Sequence, residues 1–128
     1  MTDQKMRPPP GDLRYACEKF SSAAYDIENA RQRGQRADPQ ARERYTDELL
    51  REALGRARGE ISPVSGNDVP HALWPRIDAL KARLTPGIGP KGQTHYAKLP
   101  AQEVIALADE FIDVARRLKE SLSGANAN

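Results

Sequence analysis

The chain has 128 residues, a formal net charge of +2, a single cysteine, and no apolar run longer than the five residues from Val104 to Ala108. That length fits one domain. The short apolar runs exclude a membrane-spanning helix, and the lone Cys17 excludes an intrachain disulfide framework or a cysteine-rich zinc site. Leu, Ile, Val and Phe together number 23, so the core must be thin. Alanine numbers 18 and aromatic residues make up only 5% of the chain. Alanine is the best helix former, and β-branched and aromatic residues favour strands. The composition therefore points to an all-α protein.

Residues 1–10 are polar and end in Pro8, Pro9 and Pro10. They read as a flexible arm with no secretory signal. Gly11 and Asp12 then offer a cap. Leu13, Cys17, Phe20, Ala24 and Ile27 follow at three- and four-residue steps, widened by Ala16, Ala23 and Ala30. This stripe predicts a helix over 13–33, stopped by Gly34. Asp38 and Pro39 form the next start signal. Ala41, Tyr45, Leu49, Ala53 and Ala57, with Leu50 and Leu54, predict a second helix to about residue 58, with Gly59 just past its end.

Residues 59–67 hold Pro63 and the run Ser65, Gly66, Asn67, which read as a loop. Asp68 can cap a third helix on the stripe Val69, Leu73, Ile77, Leu80 and Leu84. Pro75 interrupts this stripe, so the helix either begins there or kinks there. Residues 85–98 are rich in Gly and Pro and predict a long loop between the third and fourth helices. Leu99 and Pro100 open the last helix, whose stripe is Val104, Leu107, Ala108, Phe111, Ala115, Leu118 and Leu122, flanked by Ile105 and Ile112. Gly124 should stop it, leaving residues 124–128 as a frayed tail. The expectation is a four-helix bundle over 11–123 with short-connected neighbours packed antiparallel.

No catalytic set is recognisable. Cys17 falls on the apolar stripe, where free cysteine behaves as a small hydrophobe. Neither His71 nor His95 has an arginine at the four-to-six-residue spacing of the HEPN-type ribonucleases. Asp109, Glu110 and Asp113 share one face of the last helix, but no Glu-x-x-His accompanies them, as carboxylate metal sites in bundles require. They read as a solvated surface. The expectation is a non-enzymatic protein without cofactor or metal.

Two features could bind a partner. The 85–98 loop places Lys91, His95, Tyr96 and Lys98 among Gly87, Gly89 and Gly92, just before a helix N-terminus, where anions are attracted. It lacks the Gly-Lys-Ser/Thr of a phosphate loop, and Pro90 removes an amide donor. Between residues 31 and 58 stand eight arginines against five acids. Arg31, Arg33 and Arg36 head this group, and arginine forks suit phosphates and carboxylates. Only Tyr45 interleaves, and its stripe position assigns it to the core. Trp74 reads as a cap over the bundle end, on the second or fourth helix. These features together suggest a cytoplasmic interaction module (an adaptor, inhibitor or regulatory subunit) that binds another protein or itself. Binding to a nucleic-acid backbone is the alternative.

Overall fold

The computed structural model describes residues 10–84 and 99–127. Among them are four α-helices packed together and no strand: α1 (Pro10–Gln35), α2 (Arg42–Ile61), α3 (Trp74–Arg83) and α4 (Ala101–Ala127). A short 3₁₀ turn (Gly66–Asp68) lies between α2 and α3. No described helix is long and apolar enough to cross a membrane. The arm at 1–9 and the Gly/Pro-rich loop at 85–98 lie outside the described residues.

Cross-helix pairs give the topology. Asp26 of α1 meets Arg56 of α2, whereas Gly34 abuts Thr46, so α1 and α2 run antiparallel. Arg31 pairs with Asp109, and Phe20 packs on Phe111. Arg76 pairs with Glu110 and Arg83 with Glu103, which sets α3 antiparallel to α4. The order is up-down-up-down, with α1 packed chiefly on α2 and α4.

The predicted stripes form the core. Phe20, Ile27, Leu54, Ile77, Leu84, Val104, Leu107, Phe111 and Leu118 are fully buried, as are Ala16, Ala23, Ala53, Ala57 and Ala108. The small alanines let neighbouring helix axes approach, because interaxial distance follows the side chains at the contact. The Phe20 and Phe111 rings meet at 5.5 Å and 41°. A tilted pair of this kind adds about 0.5–1.5 kcal/mol beyond its burial. Cys17 is buried, and burial pushes its thiol pKa up.

Several boundaries and placements differ from expectation. Gly34 does not end α1, which runs on to Gln35. Its lack of a side chain serves packing instead, since a Cβ there would lie 1.9 Å from Thr46 Oγ1. Asp38 and Pro39 open a turn, closed by the Ala41 amide donating to the Asp38 carbonyl at 2.9 Å, and α2 begins only at Arg42. Helix α2 continues through Gly59 to Ile61, and α4 through Gly124 to Ala127.

Tyr45 is not core: it is 36% exposed. It stands in the first turn of α2, beside the point where α1 runs out, and so has no helix to cover it. Asp68 caps the 3₁₀ turn rather than α3, accepting from the Ser65 amide at 2.9 Å. Helix α3 starts at Trp74 with Pro75 in its first turn, where the missing amide costs nothing. The stretch before it is docked, with Val64 and Val69 both buried. Trp74 lies over Gly66 and under the Lys81 ammonium, 5.8 Å from the ring centre, and packs partly buried against the core.

Candidate functional site

The ion pairs separate the arginines that hold the fold from those that do not. Arg51 donates to Asp47 at 2.8 Å and to the Leu99 carbonyl at 2.7 Å, tying the entry of α4 to α2. Arg56 reaches Asp26. Arg76 donates from Nε and Nη2 to both oxygens of Glu110, at 2.9 and 2.8 Å, and from Nη2 to Asp113 at 2.7 Å. Arg116 and Arg117 also donate to Asp113. Three guanidinium groups hold its carboxyl well below the usual carboxylate range, Arg76 first among them. The acids of α4 are therefore the counter-charges of arginines on α1, α3 and α4 itself. Among the described residues no group of three or more His, Cys, Asp or Glu could hold a metal ion.

The end of the bundle that holds the N-termini of α2 and α4 and the C-terminus of α1 carries a cleft of about 550 Å³. Its apolar floor is Pro39, Leu50, Ala101 and Ile105, and its polar rim includes Arg31, Gln35, Arg42, Glu43 and Asp47. Ile105 is 49% exposed because it lies about 100° round α4 from the buried Val104. It therefore faces the gap beside α2 rather than the core. Helices α2 and α4 run parallel here, so both positive helix ends point the same way.

Arg42 distinguishes this cleft. The residue is partly buried, its Nε is withdrawn from water without a hydrogen-bond partner, and its Nη2 makes one long bond, 3.3 Å, to the Ala37 carbonyl. No carboxylate among the described residues lies within 4 Å of it. Its neighbours on the rim are already matched: Arg31 with Asp109 and Asp47 with Arg51.

Of the residues picked out in the sequence, Arg31 lines the cleft, although its charge is met by Asp109 and, at 3.7 Å, by Glu28. Arg33 and Arg36 lie at the same end of the molecule, exposed and without an ion pair among the described residues. Lys91, His95, Tyr96 and Lys98 lie outside the described residues. Arg42, Leu50 and Ile105 were missed as site residues. The available signal was Ile105, an isoleucine flanking a stripe already complete without it. Comparison with protein-family models, with curated proteins and with solved structures finds no match.

Proposed function

We propose that the protein is a non-enzymatic interaction module that binds a segment of another protein in the cleft between α1, α2 and the start of α4. The observation that carries this reading is the pairing of an accessible apolar floor with an uncompensated arginine. Protein interfaces have an apolar centre and a polar rim, with arginine enriched. Elsewhere among the described residues the cross-helix arginines Arg56, Arg76 and Arg83 are matched by acids.

A photo-crosslinking residue placed at Ile105 tests this in an extract of the source cells. Discrete protein adducts are expected there and not from the same residue at Tyr25, which is 70% exposed on the far surface of α1. Adducts at both positions, or at neither, would refute the reading.

The nucleic-acid alternative draws on Arg33, Arg36 and Arg44, which are exposed without an ion pair among the described residues. It predicts tight binding of short labelled RNA or DNA with a steep salt slope, about one phosphate per unit of slope. We expect no binding at physiological salt. Self-association through the same cleft would appear as a rise in mass with concentration, one that the Ile105→Glu variant abolishes.

A further inference from the structure

Taking the cleft as an interaction site, we infer that its occupant is an acidic–aliphatic segment of a partner protein. Such a segment presents a carboxylate to Arg42 and an adjacent aliphatic side chain to Leu50, Ala101 and Ile105. The argument is one of missing charge. A guanidinium drawn partly out of water is costly unless an anion answers it. Among the described residues no anion answers Arg42: Asp47 is taken by Arg51, and Glu43, exposed on the rim, makes no ion pair with it. The stretch 85–98, which joins α3 to this end of the bundle, contains no aspartate or glutamate. Among the described rim residues the one carboxylate outside an ion pair is Glu43, and it makes none with Arg42.

Two further features favour the same ligand. The positive ends of α2 and α4 add to the Arg42 potential. The floor beside it is apolar, formed by Pro39, Leu50, Ala101 and Ile105. A carboxylate next to a leucine or isoleucine satisfies both halves. A bare phosphate backbone would satisfy only the charge.

The test uses the full chain, isotope-labelled for amide NMR, and a labelled peptide of repeating Glu-Leu-Leu-Glu. The same peptide with lysine for glutamate is the control. The acidic peptide should shift the amides of Arg42, Thr46, Leu50, Ala101 and Ile105. Arg42→Gln should weaken it by about tenfold or more, the loss typical of a charged hydrogen bond. Ile105→Ser, a change at an exposed position, should weaken it by a similar factor, and Arg33→Gln should leave it unchanged. Equal binding of the lysine peptide, insensitivity to Arg42→Gln, or displacement of the acidic peptide by short RNA would overturn the inference. Protein adducts at Ile105 would still stand if the acidic peptide fails. The chemistry of the partner would then be wrong while the cleft remained an interaction site.

Discussion

Two glycines inside helices give opposite answers to the same substitution. At Gly34 an alanine Cβ would lie 1.9 Å from Thr46 Oγ1, 2.7 Å from its Cβ and 2.9 Å from its Cα. Rotating the Thr46 side chain can relieve only the first of these clashes. The other two require α1 and α2 to part. Overpacking of this kind costs about 1–3 kcal/mol, and involvement of the backbone puts it near the upper end. Alanine returns up to about 1 kcal/mol of helix propensity, so Gly34→Ala should destabilise by about 1–2 kcal/mol. At Gly59, also inside a helix, nothing lies within 4 Å of the added Cβ. Gly59→Ala should therefore stabilise by about 0.5–1 kcal/mol. For a chain of this size 1 kcal/mol moves the melting temperature by roughly 3–5 °C. Thermal unfolding followed by circular dichroism should show Gly34→Ala several degrees below the parent and Gly59→Ala a few degrees above it. Adding Thr46→Ala should not rescue Gly34→Ala, since the substitution removes Oγ1 and Cγ2 and leaves the clashing Cβ and Cα of residue 46 where they were. If Gly34→Ala melts as high as Gly59→Ala, the close approach of α1 and α2 is refuted.

Phe111→Ala should cost about 3–5 kcal/mol, because the ring is fully buried against Phe20 and the cavity cannot collapse between rigid helices; urea unfolding measures it. Thr46→Val removes a buried hydroxyl that has no hydrogen-bond partner, and should leave stability unchanged or raise it by up to about 1 kcal/mol in the same assay. Asp113 has its pKa lowered in the folded state, so its contribution is present above the unfolded value of about 3.9 and is lost as pH falls below that. Acid titration of stability should accordingly be shallower below pH ~4 in Asp113→Asn than in the parent. Cys17 is buried with a raised thiol pKa, so a thiol reagent should label it at the rate of unfolding and not at the rate of an exposed cysteine.

Helix existence was legible because a stripe at 3.6-residue spacing has one simple cause, burial of one face. Val69, Leu73, Ile77, Leu80 and Leu84 were all placed on the buried side from spacing alone, and all are buried, although Val69 and Leu73 precede α3 and reach the core from outside any α-helix. Helix ends were less legible. Gly34, Gly59 and Gly124 each look like stop signals, yet all three lie within helices. At Gly34 the reason is close packing on Thr46. A glycine needed for approach and a glycine needed for a left-handed cap are identical letters, and only the partner helix tells them apart. Tyr45 failed for a related reason. It keeps the stripe spacing of α2, but the helix it would face has ended.

The site follows the same division. The arginines between residues 31 and 58 run from the end of α1 along the whole length of α2, and their density could not say which of them are already answered. Arg51 and Arg56 find their acids within α2 or across to α1, and Arg31 finds Asp109, seventy-eight residues away in sequence. Such cross-helix matches have no local signature. Their pattern separates the arginines picked from sequence: Arg31 is compensated, whereas Arg42, not singled out, is a partly buried arginine without a carboxylate among the described residues. A surplus of cationic residues is thus a poor guide to binding in a chain with nearly balanced charge. What separates a structural arginine from a recognition arginine is whether the fold supplies its counter-charge. By that criterion the proposed determinant at this end of the bundle is a partly buried guanidinium beside an exposed isoleucine, and on that proposal the removal of either one should disable binding while leaving the four-helix core intact.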